Sequence, residues 1–288
     1  MKSDSTLFLY LGHHKCASSS LHNIFQEAMI ATGRKHGCIT YPHPDILPLV
    51  TKHNFECLSV RQADYTKLED LENFRGFHLI RDPRDIVISA YFSHRYSHPT
   101  ANWPELEEHR QQLNCISQEK GIFLDMEFGV TKDTLIALQN WNYNDQKILE
   151  LKFEHFINDP IKTFLDIFSF FSLLEKQDSK SFLSLFARYL FISFNQYIYS
   201  YKLSRILRPL RKKMADIRPE ELRQIVEKYS FEKLSGDRHV GELDPKKHYR
   251  KGVSNDWKNH FTDNHKKYFK QKYQNLLEKT GYEQDKNW

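Results

Sequence analysis

The stretch Leu7 to Leu21, LFLYLGHHKCASSSL, decides how the rest of the chain is read. Its first five residues are apolar without alternation, the pattern of a strand covered on both faces, as in the central parallel sheet of an α/β protein. Gly12 breaks the run and permits a sharp turn. Ser18, Ser19 and Ser20 suit a helix start, where backbone N–H groups have no partner within the helix. Lys15 lies between the strand and the helix. A lysine beside free N–H groups at a helix N-terminus makes an anion site, suited to phosphate or sulfate. The loop does not match the G-x-x-x-x-G-K-[ST] pattern, because its lysine comes early and Ala17 and Ser18 stand where glycine and lysine should be.

Working outward, Leu21, Ile24, Phe25 and Ala28 recur at helical spacing, so a helix should run to Ala31 and end at the glycines 33 and 37. Tyr41 to Pro48 holds three prolines and reads as a loop, and Glu56 to Val60 as a short strand. Phe77 to Ile80 is a second buried strand. It runs into Arg81-Asp82-Pro83-Arg84-Asp85, with Pro83 suited to a first helical turn. Arg81 is thereby presented at the carboxyl end of a strand, the edge where open α/β sheets bind ligands. Ser89, two turns into the helix, adds a hydroxyl to a planar cation, good chemistry for phosphate. Arg84 can instead pair with Asp82 or Asp85. Thr134 to Tyr143 should be a helix, leading to a third strand ending near Phe153 and to a further helix over 161–174.

The early lysine followed by small and hydroxyl residues resembles the phosphosulfate loop of sulfotransferases that use 3′-phosphoadenosine 5′-phosphosulfate (PAPS). Arg81 to Asp85 with Ser89, Tyr91 and His94 resembles the 3′-phosphate segment of that family. His248 to Thr262, HYRKGVSNDWKNHFT, resembles its C-terminal R-K-G…D-W-K-N…F-T segment. The resemblance implies an α/β fold, a mostly parallel central sheet flanked by helices, of the P-loop-like sulfotransferase type. It implies one domain over residues 1–288, transfer of a sulfuryl group from PAPS to a hydroxyl, less readily an amine, and PAP as product. Lys15 would be catalytic, and Lys15, Cys16, Ala17, Ser18, Ser19 and Ser20 would hold the 5′-phosphosulfate. Arg81, Ser89, Arg250, Lys251 and Gly252 would take the 3′-phosphate, with Phe153, Ser235 and Tyr249 beside the nucleoside. No metal is expected. Other readings are a P-loop nucleotide kinase, disfavoured by the missing G-K-[ST], and an inactive nucleotide-binding module.

Where cytosolic family members carry Lys-Thr-His at the end of the second strand, this chain has Arg61-Gln62-Ala63 and then Asp64. Asp64 is therefore the first candidate for the general base and His94 the second, with His13 and His14 flanking the loop. A second departure is the segment 181–213, aromatic first and basic after, carrying Arg205, Arg208, Arg211, Lys212 and Lys213 with almost no acidic residues. It reads as a helical insertion: extra core or a homodimer contact, a lid over an apolar acceptor, or a patch for peripheral contact with an anionic membrane.

Composition sets the limits. At 288 residues and 40% hydrophobic the chain can build one large domain. A net charge of +5 suits a polyanionic nucleotide but does not argue for nucleic acid as a partner. The four cysteines form no C-x-x-C pair, so neither a disulfide framework nor a zinc site is indicated, and Cys16 is either a reactive thiol or loop filler. The N-terminal apolar run is too short for a signal peptide and no window is long enough to span a membrane, which leads us to expect a cytoplasmic enzyme; the resemblance implies a small-molecule, glycan or lipid hydroxyl as its acceptor.

Overall fold

The computed structural model describes residues 6–40, 45–175, 182–200, 210–239, 241–242, 244, 246–247, 250–273, 275–285 and 287–288. Five parallel strands form one sheet: β1 (Leu7–Leu11), β2 (His36–Ile39), β3 (Cys57–Val60), β4 (Phe74–Ile80) and β5 (Ile148–Lys152), in the order β2-β3-β1-β4-β5. β1 is the central strand, with Leu9 opposite Leu58 on β3 and Gly76 on β4. Every residue of β1 is buried, which explains the unbroken apolar run. Because the chain leaves β1 with β3 on one side and β4 on the other, a crevice opens at their carboxyl ends, where ligands of such sheets bind.

Helix α1 (Ser18–Ala31) begins at the first serine and lays Leu21, Ile24, Phe25 and Ala28 on the sheet, all fully buried. The predicted loop over 41–48 is shorter than expected. Residues 41–44 lie outside the described set, and α2 (Ile46–His53) already contains Pro48 in its first turn, where proline's missing N–H costs no bond. The sequence reading missed β2, whose HGCI is short and interrupted by glycine; it forms because His36 to Ile39 pair with Cys57 to Val60.

Helix α3 (Pro83–Phe92) follows β4, and a π-helical turn (Ser93–Ser97) extends it. Then come α4 (Pro104–Asn114), α5 (Gln118–Glu127) and α6 (Gly129–Asn140), and after β5, α7 (Phe153–Asn158) and α8 (Pro160–Phe170). Helix α9 (Phe182–Ser200) covers the first part of the expected insertion; 181 and 201–209, with Arg205 and Arg208, lie outside the described residues. It packs on α1: Asn195 Nδ2 donates to the carbonyl of Ala31 at 3.1 Å and Gln196 Nε2 to Glu27 Oε1 at 3.2 Å. Its basic continuation is not short of acidic partners. Arg211 Nη2 lies 3.0 Å from Glu56 Oε2, and Lys213 bonds the same carboxylate, contributed by residue 56 just ahead of β3. Among the described residues no helix is long and apolar enough to cross a membrane.

Candidate active site

The loop after β1 bends without glycine where a Walker-type loop would use one. Lys15 and Ala17 both adopt left-handed backbone conformations, φ 63° and 54°. Each costs a non-glycine residue about 1–2 kcal/mol, strain of the kind concentrated at functional sites. The bend turns Ala17 to Ser20, with Lys15 beside them, into one wall of a cleft of about 690 Å³. Cys16 points the other way. It is fully buried, and burial pushes its thiol up to about 12, which makes it loop filling rather than a nucleophile.

Each residue of the Arg81 to Asp85 motif has a separate task. Asp82 caps α3 by accepting the Arg84 N–H at 2.9 Å, and Pro83 fills the first helical position. Arg84 is buried: Asp82 holds its Nε and Nη2 at 3.0 and 2.7 Å, Glu283 meets Nη1 at 2.6 Å, and the Trp257 ring lies 3.8 Å away. Asp85 accepts the N–H groups of Asn255 and Trp257 at 2.6 and 2.8 Å, clamping the C-terminal segment onto α3. Arg81 alone faces the cleft. It donates to the carbonyls of Lys15 and Val253, each at 3.2 Å, and lies 4.4 Å over the ring of Phe153. Its buried Nε has no hydrogen-bond partner among the described residues, a donor left for a ligand.

The clamp brings Arg250, Lys251 and Gly252 to the same wall as Ser89. Asp256, behind them, holds Arg250 Nη2, Lys251 Nζ (2.9 Å) and His260 Nε2 (3.3 Å). Burial works against its charge, but His260, Lys251 and Arg250 prevail and hold its carboxyl far below the ordinary carboxylate range. Gly252 has φ 68°, and a Cβ there would come within 2.8 Å of the Phe231 ring. Arg61, at the end of β3, donates from Nη2 to Ser19 Oγ at 3.1 Å. Five cationic side chains (Lys15, Arg61, Arg81, Arg250 and Lys251) therefore line the cleft, against two carboxylates, Glu227 and Glu232. Burial and the repulsion of Arg81 and Arg250 lower the Lys15 ammonium to about 7.

The remaining expected residues divide. Phe153 lines the cleft. Ser235 does not; its hydroxyl donates to the carbonyls of Glu232 and Arg238. Tyr249 lies outside the described residues. Asp64 is exposed, away from the cleft wall, and accepts the Thr66 N–H at 3.0 Å as the cap of a 3₁₀ turn. His94 is fully buried and meets the cleft through two residues that line it, His14, whose Nε2 lies 3.1 Å from its own Nε2, and His98, in an edge-to-face ring contact. None of the described residues of 182–200 or 210–213 lines the cleft.

Sequence reasoning missed the surroundings of His94. Asp125 on α5 accepts His94 Nδ1 at 2.6 Å, His109 Nε2 at 3.0 Å and Thr131 Oγ1 at 3.1 Å. Donor atoms of His94, His109 and Asp125 lie within 4.8 Å of one another, close enough to share a metal ion, although no spacing in the sequence announces it. A second chain runs from the neighbouring histidine: His13 Nε2 lies 2.8 Å from His78 Nε2, and His78 Nδ1 lies 2.7 Å from Glu150 Oε2.

A sheet of this order, with an anion loop at the end of β1, defines a P-loop-like nucleotide-binding protein. The sequence model of the sulfotransferase domain matches residues 71–281, from before β4 to near the end of the chain. The chain belongs to the sulfotransferase family, and its activity is sulfuryl transfer. Mouse sulfotransferase SULT7A1, solved in complex with PAP, superimposes over 98% of this chain and 86% of its own at 15% identity and a TM-score of 0.52, the same fold. Retinol dehydratase, solved with androsterone and PAP, aligns over 94% of this chain and 80% of its own at 12% identity and a TM-score of 0.43. No curated protein sequence matches the chain.

Proposed function

We propose that the enzyme takes its sulfuryl group from PAPS and transfers it to the hydroxyl of a small molecule. The observation that carries this is the convergence of Lys15, Arg81, Ser89, Arg250 and Lys251, from three distant stretches of chain, on one cleft. A nucleotide with phosphates at both ends of its ribose needs two separated anion sites, and the resemblance assigns one to each group of residues. Backbone N–H groups of Ala17 to Ser20 and the N-terminus of α1 hold the 5′-phosphate. Arg81, with its unpaired Nε, joins Ser89, Arg250 and Lys251 at the 3′-phosphate, while Gly252 allows close backbone approach. The Phe153 ring lies beside the nucleoside, and we read residues 1–288 as one sulfotransferase domain.

Little covalent work then falls to the protein. It aligns the acceptor oxygen with the leaving phosphate and stabilises the charge that develops. Lys15 is the residue for that charge, since its ammonium gains most as the bridging oxygen becomes anionic. The cleft also has an apolar wall, including Phe156, Ile157, Ile161 and Val226, which suits an apolar acceptor.

The test is transfer of labelled sulfate from PAPS to a panel of alcohols and phenols, alongside calorimetric binding of PAP and ATP. Transfer, with PAP bound in preference to ATP, is the expected result. ATP bound in preference to PAP would make the protein a kinase, and PAP binding without transfer an inactive module.

A further inference from the structure

We infer that His14 is the general base that takes the acceptor's proton, and that buried His94 and Asp125 set it to do so through a hydrogen-bonded chain. The inference rests on the sulfuryl-transfer reading above and supplies the group which that reading leaves unassigned. His14 follows Gly12 and His13 in the anion loop, immediately before Lys15, and lines the cleft. Its backbone N–H donates to Gln62 Oε1 at 3.1 Å, and Gln62 Nε2 donates to Thr134 Oγ1 at 2.8 Å, so the loop is held in place at this residue. The His14 ring stacks on His94, centroids 5.1 Å apart and planes 15° apart, with the two Nε2 atoms at 3.1 Å.

The proton positions follow from the end of the chain. Asp125 is fully buried and accepts His94 Nδ1, His109 Nε2 and Thr131 Oγ1, all of which must donate to a carboxylate. With its proton on Nδ1, neutral His94 has Nε2 as an acceptor. The 3.1 Å contact then requires His14 to donate from Nε2, which makes His14 Nδ1 the proton-accepting atom. In the reaction the acceptor oxygen forms its bond to sulfur, and the sulfur–phosphate oxygen bond breaks with its electron pair on the leaving phosphate. The hydroxyl proton goes to His14 Nδ1. The imidazolium so formed can pass its Nε2 proton to His94, beside the negative charge of Asp125. His14 is thus the catalytic residue, and His94 and Asp125 are positioning residues. Two histidines and a threonine thus converge on Asp125 as hydrogen-bond donors.

His14→Ala and His94→Asn should each bind PAP like the wild type by calorimetry, as should Asp125→Asn at a pH low enough to keep Lys15 charged, which also reports that they fold. With PAPS and primary alcohols, His14→Ala should lose about 100-fold or more in kcat, the scale of a general base. Added imidazole should restore part of it. With 2-chloro-4-nitrophenol, a more acidic phenol that is largely ionised at neutral pH, the loss should shrink to a few-fold, since little proton remains to be taken. His94→Asn and Asp125→Asn should lower kcat with KM for the alcohol little changed. Nitrogen-15 spectra of the wild-type histidines, which need no acceptor, should find the proton on Nε2 of His14 and on Nδ1 of His94. Wild-type turnover of alcohols by His14→Ala, or the opposite tautomers, overturns the inference while leaving the donor reading intact. Turnover abolished by a chelator and restored by zinc also overturns it, by assigning the cluster to a metal. A wild-type protein that does not bind PAP overturns the donor reading and this inference together.

Discussion

On the donor side of the cleft, Arg81 is fixed by backbone carbonyls, and Arg250 and Lys251 by Asp256, as cations beside Lys15. On the acceptor side, His14, His94 and Asp125 form a chain of hydrogen bonds with a single carboxylate at its buried end. The first arrangement binds: its charges are in place before any ligand arrives, and their mutual repulsion is relieved by an anion. The second responds: it has a proton acceptor at the surface and a place to move the charge. The two halves should therefore respond differently to substitution. A cation can be replaced by another within reach, whereas a tautomer is set by each partner in turn.

The strongest way to break this comparison is Lys15→Ala, which belongs to the donor side by position but to catalysis by role. It should lower kcat about 100–1,000-fold, as loss of one preorganised donor does, with PAP affinity changed far less. Equal loss in both quantities would make Lys15 a simple binding group. Arg250→Ala should do the opposite, weakening PAP by about 1.5–3 kcal/mol, the scale of a charge-assisted bond, as read by calorimetry. Saturating donor should then restore kcat.

A pH series sharpens the same contrast. Burial and the neighbouring arginines hold Lys15 at about 7 in the free enzyme, so much of it is neutral above that value. A bound phosphosulfate or phosphate favours the charged form, so donor binding must take up a proton at alkaline pH. PAP affinity should therefore fall as pH rises above about 7, and titrations in buffers of different ionisation enthalpy should register the uptake. The sign for folding runs the other way. The unfolded lysine binds its proton up to about 10.4, so between the two values this group makes free-enzyme stability rise with pH.

Two smaller effects complete the series. Ala17→Gly relieves a left-handed backbone, less the added freedom of the unfolded glycine, and should stabilise the fold by about 0.5–1 kcal/mol in thermal or urea unfolding. Tyr189→Ser, on the outer face of α9 and 66% exposed, should leave both PAP affinity and acceptor kinetics unchanged, because none of the described residues of α9 lines the cleft. A raised acceptor KM in that variant would return the segment to the role of a lid.

The donor side was legible because each of its pieces is local. A buried strand followed by a lysine loop, a strand followed by Arg81-Asp82-Pro83, and the Arg250-Lys251-Gly252 run each carry their meaning within a few residues. The tertiary clamp from Asp85 to Asn255 and Trp257 only had to join them. On the other side His14 and His94 stood among the candidates for the base, but the link between them and Asp125 was not legible, because the chain draws on the loop after β1, the π-helical turn, α4, α5 and the start of α6, with no common spacing. Asp64 attracted attention because it stands in sequence where the family keeps a base, yet its carboxylate is used by the turn it begins. Likewise β2 carries no apolar signature of its own and forms only because β3 offers it an edge.

We read the cleft as one built for a nucleotide with a phosphate on its 3′ carbon. Calorimetric titration of PAP and of 5′-AMP, which lacks that group, tests it most directly. PAP should bind far more tightly than 5′-AMP in the wild type, and the gap should close in Arg81→Ala and Arg250→Ala. Equal binding of the two nucleotides in the wild type would contradict it.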